Sequence, residues 1–189
     1  MYKNEFDNYL KQNKKFKSYM FYGQSMFLVE QYSLAIAQSF GENDEIEKLY
    51  FEEYNFKYAK DKLLQSSWFS SNNILLIKVE KKLPKKEVDT LIEACNANPD
   101  STLIFACLGD GDFKTMESSF SLKTNSVAVR FFQPTDTEAI RFLAYEAKLL
   151  EMQYEISALN HLYFMHKNDL ALCVNDLKKL AILDQSINI

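Results

Sequence analysis

Glycine is almost missing from this chain of 189 residues: four are present, at positions 23, 41, 109 and 111. A phosphate-binding loop needs a glycine, four residues, then Gly-Lys-Ser/Thr. Five residues after the four glycines stand Leu28, Ile46, Lys114 and Met116, so the chain carries no such loop. The dinucleotide fingerprint G-x-G-x-x-G has one possible start, Gly109-Asp110-Gly111, and it fails at Lys114. Arginine is scarcer still. Only Arg130 and Arg141 stand among 22 basic residues, against 26 acids and a net charge of −4. That balance argues against a free-standing nucleic-acid binder built on phosphate neutralisation and guanidinium contacts. The cysteines, Cys95, Cys107 and Cys173, are odd in number, widely spaced and set in apolar surroundings. They read as reduced core residues rather than a disulfide frame or a zinc site. No apolar run approaches a membrane span. Met1–Lys17 mixes five lysines with Glu5 and Asp7, unlike a targeting signal. The expectation is a cytoplasmic protein with no membrane partner.

What is present is an alternation of strand-like and helix-like segments over the first 133 residues. Tyr19-Met20-Phe21-Tyr22 is an apolar run stopped by Gly23, and residues 27–40 follow at helical spacing. Residues 49–51 read as a short strand and 57–65 as a helix. Residues 74–79 form a continuous apolar strand of the kind covered on both faces. Pro84 opens a helix reaching about Asn96, with Val88, Leu91, Ile92 and Cys95 on one face. Residues 98–100 form a turn, 102–108 a strand, 114–122 a helix and 127–132 a last strand. Alternation with wholly apolar strands implies a parallel sheet between helix layers. After Pro134 the pattern changes. Thr135-x-x-Glu138 is a capping-box signature, and helices are expected over 136–150, 156–166 and 169–184. The chain divides into an α/β domain, 1–134, and a small three-helix domain, 135–189.

Candidate chemistry is sparse. Gly23-Gln24-Ser25-Met26-Phe27 begins like a nucleophile elbow, but Phe27 fills the second glycine position. Ser25 reads better as the cap of the helix that follows. His161 and His166 are five apart, not the four that a helical zinc pair requires. Asp110 and Asp112 flank a glycine after a buried strand, where turn formers and active-site acids both occur; no partner base favours the second. Lys78, Lys81, Lys82, Lys85 and Lys86 form the one basic cluster, diluted by Glu80 and Glu87, and fit a solvated loop better than a DNA contact. No catalytic residue, cofactor site or metal site emerges.

The segment Gln65-Ser66-Ser67-Trp68-Phe69 holds the only tryptophan, beside a phenylalanine and among serines. Rings of this size bury about 150–250 Å² each. At roughly 25 cal/mol per Å², docking both in a partner contributes on the order of 7–12 kcal/mol before ordering costs. On local grounds the pair suits a partner's pocket and the domain's own core equally.

Four stretches together resemble the delta subunit of bacterial DNA polymerase III, the clamp-loader family. They are Tyr19-Met20-Phe21-Tyr22-Gly23-Gln24-Ser25-Met26-Phe27-Leu28-Val29-Glu30, the run from Gln65 through Trp68-Phe69 to Ile77, Lys81-Lys82-Leu83-Pro84-Lys85-Lys86-Glu87, and Asn168-Asp169-Leu170 continuing to Asp176-Leu177-Lys178-Lys179-Leu180. The resemblance runs from about Ser18 to Leu183. It implies a fold similar to the AAA+ ATPases but without nucleotide binding, followed by a helical lid domain. It also implies that Gln65, Ser67, Trp68 and Phe69 form the clamp-binding motif, of general form Gln-x-Ser/Asp-Leu-Phe, with Leu64 and Ser66 flanking it. Trp68 stands where the family usually has leucine. The partners so implied are the beta sliding clamp and, in a full-length protein, the gamma/tau and delta prime loader subunits, with DNA touched weakly or indirectly. No cofactor is implied, and ATP hydrolysis belongs to other subunits. The family's third, collar-forming domain has no counterpart before Ile189, so this chain alone is not expected to assemble into a loader. The alternatives are a nucleotide-binding AAA+ replication ATPase and a generic protein-interaction module.

Overall fold

The computed structural model describes residues 1–65 and 72–183. Its elements run α1 (Lys3–Lys11), β1 (Ser18–Gly23), α2 (Met26–Gln38), β2 (Ile46–Tyr50), α3 (Phe56–Leu64), β3 (Asn73–Val79), α4 (Lys85–Ala97), β4 (Ser101–Cys107), α5 (Lys114–Glu117), β5 (Ser126–Phe131), α6 (Asp136–Leu149), α7 (Ile156–Met165) and α8 (Leu170–Ile182). The five strands form one sheet in the order β2-β3-β4-β1-β5, every pairing parallel. Two compact units result, Met1–Phe132 and Gln133–Ile189.

The inner strands β1, β3 and β4 are largely apolar because both faces of the sheet are covered there, whereas the edge strand β2 carries Glu47 and Lys48. Side chains alternate between faces with a period of two. Met20, Tyr22, Leu75, Ile77, Leu103 and Phe105 pack with Leu63 of α3, Leu91 of α4 and Met116 of α5. Their neighbours Tyr19 and Phe21 point the other way, where Phe6 of α1 meets them with ring centroids 6.2 and 5.5 Å away. Tyr32 of α2 closes that layer against Phe131 at 4.8 Å. The result is α/β in three layers, α1 and α2 on one face and α3 to α5 on the other.

Two differences from the sequence pattern have local causes. Residues 3–11 form a helix that the reading of the first seventeen residues did not include. Phe6 is the one buried residue of that helix; Phe6, Tyr9 and Leu10 do stand at helical spacing, but among lysines, asparagines and acids. It is held from outside: the Met1 ammonium donates to Ala128 O at 2.8 Å, and Tyr2 bridges Arg130 in parallel beside the edge strand β5, covering an edge that would otherwise be exposed. The helix expected over 114–122 stops at Glu117. Its continuation is serine-rich, and the Ser118 hydroxyl donates to Thr115 O at 2.7 Å, the kind of local hydrogen bond that competes with a helix.

In the second unit α6 and α8 begin on side-chain caps, and α7 begins without one. The Thr135 hydroxyl accepts from Glu138 N at 3.3 Å, and Glu138 Oε2 accepts from Thr135 N at 2.9 Å. Asp169 Oδ1 accepts from Ala171 N and Leu172 N at 2.8 and 3.1 Å. The α7–α8 corner is tied by His166 Nε2 against Asp176 Oδ2 at 2.7 Å, with Lys179 on the other carboxylate oxygen at 2.9 Å.

Candidate partner-binding site

α3 starts where the Asn55 side chain accepts from Tyr58 N at 2.9 Å, and it presents two faces. Ala59 and Leu63 are fully buried, while Tyr58, Leu64 and Gln65 face solvent. Glu47 of β2 fixes the helix laterally through Lys62 at 2.8 Å and through the Tyr58 hydroxyl. Partial burial raises the Glu47 carboxyl, but the bonds from Lys62 and Tyr58 outweigh that and hold it below the usual range.

The helix ends at Leu64, and Gln65 is already extended at φ −69°, ψ 120°. Of the six residues expected to engage a partner, Leu64 and Gln65 therefore sit at the exit of α3. They border a shallow hollow of about 400 Å³ together with Tyr58, Asp61 and Lys62. Ser66, Ser67, Trp68 and Phe69 lie outside the described residues. The chain re-enters the sheet at Asn73, the first residue of β3. The segment thus leaves from the N-terminal edge of a parallel sheet.

A second concavity lies at the opposite, C-terminal edge. The connection leaving β1 goes to β2, and the connection leaving β4 goes the other way to β5, past β1. The crevice between β1 and β4 is therefore the switch point where open parallel sheets bind ligands. It measures about 360 Å³ and is lined by Tyr22, Gly23, Gln24, residues 109–114 and Arg130. Burial, reinforced by a hydrogen bond to Glu117, pushes the Tyr22 hydroxyl far above its ordinary range. Two residues, Gln24 and Ser25, join β1 to α2. The Ser25 hydroxyl accepts from Leu28 N at 3.4 Å, so the residue that opens like a nucleophile elbow is a buried helix cap. Asp112 likewise accepts from Lys114 N at 3.1 Å, as a turn former does.

The remaining candidates stay apart. Lys78 is ion-paired with Glu30 and lies 5.0 Å from the Tyr50 ring centroid. Lys85 pairs with Asp89 at 2.9 Å, and Lys81, Lys82 and Lys86 are exposed. Cys95, Cys107 and Cys173 are buried thiols. Burial pushes all three up, Cys173 to about 11, which keeps them un-ionised. Among the described residues no group of three His, Cys, Asp or Glu side chains can hold a metal ion. No helix among them is long and apolar enough to cross a membrane.

This architecture has solved counterparts. The Bacillus subtilis DNA clamp loader delta protein, YqeN, superposes with a TM-score of 0.63 over 98% of this chain and 59% of its own, at 16% identity. The fold is AAA+-like. The Thermotoga maritima RuvB Holliday junction branch migration motor matches with a TM-score of 0.57 over 96% of this chain and 61% of its own, at 13% identity. In sequence, proteins of two Helicobacter pylori strains are each 28% identical over the whole chain, which spans 61% of their length. A protein-family profile described as a middle domain matches residues 135–189.

The positions that the sequence did not single out are Asn73, Asn98 and Ser101. All three are buried polar side chains whose hydrogen bonds converge on the end of α3. Asn73 and Ser101 each open a strand, but so do Ser18 and Ser126, and Asn98 showed only as part of a turn, so the sequence did not mark the three.

Proposed function

We propose that this chain is the clamp-engaging portion of a clamp-loader delta-type subunit, binding a beta sliding clamp through residues 64–69 and performing no ATP hydrolysis of its own. The observation that carries the reading is the likeness of fold to a clamp loader delta protein over 98% of the chain. The short β1–α2 connection supports it: with two residues and a helix N-terminus already capped by Ser25, the first turn has no loop of backbone amides to wrap a triphosphate. The mechanism is mechanical. Trp68 and Phe69 enter an apolar pocket on the clamp, and the surrounding surface favours a clamp geometry whose ring interface stays open. Such binding shifts the ring only by the difference between its affinities for open and closed forms. Other loader subunits, of the gamma/tau and delta prime types, supply ATP hydrolysis and hold the assembly.

The test is affinity for the cognate beta clamp, wild type against a Trp68→Ala/Phe69→Ala double variant. Loss of binding in the double variant is expected; undiminished binding would sink the site. The likeness to the RuvB motor favours a second reading, an ATP-binding motor with its ligand in the β1/β4 crevice. Saturable ATP binding in equilibrium dialysis would establish that reading in place of the first.

A further inference from the structure

A helix ends with carbonyl groups that have no intrahelical partner, and at an exposed end water or a left-handed glycine turn satisfies them. α3 uses neither. Its chain leaves in an extended conformation at Gln65, and buried side chains from three other elements take up the carbonyls. Asn98 Nδ2, at the end of α4, donates to Leu63 O and to Gln65 O, both at 3.0 Å. The Ser101 hydroxyl, at the start of β4, donates to Leu63 O at 2.7 Å. Asn73 Nδ2, at the start of β3, donates to Lys62 O at 2.6 Å and to the Ser101 hydroxyl at 2.9 Å.

The network is itself braced. Asn98 Oδ1 accepts from Asp100 N at 3.1 Å, and Lys17 Nζ donates to the carbonyls of Asn98 and Pro99 at 2.9 and 2.5 Å. Residue 73 is the return point of the same segment that departs at residue 65. Its two ends are therefore held in one set of buried hydrogen bonds.

We propose that Asn98, Ser101 and Asn73 are positioning residues for Leu64 and Gln65, fixing the exit direction of α3 so that a sliding clamp meets the end of the helix pre-arranged. This rests on the clamp-binding reading above. An interface segment whose base is already fixed loses less freedom on binding, and the saving appears as affinity. Asn73 Oδ1 is buried with no partner among the described residues, a desolvation penalty that accompanies the two bonds donated by its Nδ2.

The experiment compares clamp affinity for the wild-type chain, Asn98→Ala, Ser101→Ala, Asn96→Ala and a free peptide of residues 62–73, reading Kd per folded molecule. Asn96 is the control: its side chain donates to Thr124 O at 3.0 Å and not to α3. The wild type is expected to bind more tightly than the peptide. Asn98→Ala and Ser101→Ala fall about tenfold towards the peptide's value, with Asn96→Ala unchanged. A merely structural role lowers the folded fraction but not the Kd of the molecules that remain folded.

If either alanine variant fails to fold, the nearly isosteric Asn98→Asp replaces it. Its carboxylate repels the carbonyls of Leu63 and Gln65 when ionised and donates to one of them when protonated. Its deficit against wild type therefore narrows as the pH falls; a deficit that is absent or independent of pH overturns the proposal. Wild-type Kd in the alanine variants, with binding lost in Trp68→Ala/Phe69→Ala, overturns the positioning role and leaves the clamp reading standing. If the wild type itself does not bind the clamp, the clamp reading falls, and with it the proposal as an account of clamp recognition.

Discussion

Gly23 and Phe131 lie backbone against backbone: a Cβ placed on Gly23 would stand 2.0 Å from the Phe131 carbonyl oxygen. The same oxygen accepts from Gln24 N at 2.8 Å, so it cannot retreat without breaking the end of the β1–β5 pairing. Gly23 also sits at φ +138°, a conformation that L side chains rarely adopt. Strain and overpacking act together in Gly23→Ala, which is expected to lose roughly 2–4 kcal/mol of stability. Urea denaturation measures it; a loss below about 0.5 kcal/mol, the range of ordinary surface changes, would show that the contact relaxes freely.

Where glycine is this scarce, helices must end on other residues. Three do so in the same way. Asn13, Glu151 and Lys167 lie in the left-handed region at φ 54°, 56° and 52°. After α6, Met152 N donates to Ala147 O at 3.0 Å and Glu151 N to Lys148 O at 3.1 Å, the paired bonds of a Schellman ending. A side chain in this conformation costs about 1–2 kcal/mol relative to its absence. Glu151→Gly is therefore expected to stabilise the protein by about 1 kcal/mol, after the added freedom of the unfolded chain is subtracted. Thermal unfolding should show a melting temperature higher by a few degrees; a decrease would mean that the Glu151 side chain makes a compensating contact.

The parts of the fold visible in the sequence were those whose reasons are local. β3 and β4 declared themselves as apolar runs because both faces are covered, α6 by the capping box of Thr135 and Glu138, and α8 by apolar residues recurring every three and four positions, Leu170, Cys173, Val174 and Leu177 among them. α1 was passed over because its apolar residues Phe6, Tyr9 and Leu10 stand among lysines, asparagines and acids, although Phe6, Tyr9 and Asp7 all tie it to the core layer. Of the candidate site only the proposed contact residues were legible. Gln65, Trp68 and Phe69 stand together in the chain, but Asn98 and Ser101 reach Leu63 across 35 and 38 residues. No spacing rule links side chains so far apart; only the parallel register, which brings Asn73 beside Ser101, does so.

Alkaline stability follows from Tyr19, whose hydroxyl is buried and accepts from Phe16 N at 2.7 Å. Burial pushes its pKa up to about 12, against the opposing effect of that backbone bond. In the unfolded chain the group titrates near about 10. The folded state holds the proton more tightly, so this contribution is complete below about pH 10 and is lost as the pH rises through about 12. Its full size is on the order of 2–3 kcal/mol. Tyr22, Tyr32 and Tyr54 are raised in the same direction by burial and steepen the fall. Tyr19→Phe should lose stability less steeply than wild type in urea melts across that window; parallel curves would remove Tyr19 as a cause.

Leu63 and Leu64 are adjacent and identical in chemistry, yet their surroundings demand opposite results. Leu63 is fully buried under the sheet, and Leu64 is 46% exposed at the exit of α3. Leu63→Ala leaves a cavity and should cost about 2–5 kcal/mol. Leu64→Ala touches no core and should change stability by no more than about 0.5 kcal/mol. If the exposed leucine flanks a clamp contact, the same variant weakens clamp binding severalfold while its melting curve stays that of wild type. The two measurements, a denaturation midpoint and a clamp Kd, separate a residue that holds the helix from one that the helix presents. Equal destabilisation by both substitutions would place Leu64 in the core, and an unchanged Kd for Leu64→Ala would take it out of the interface.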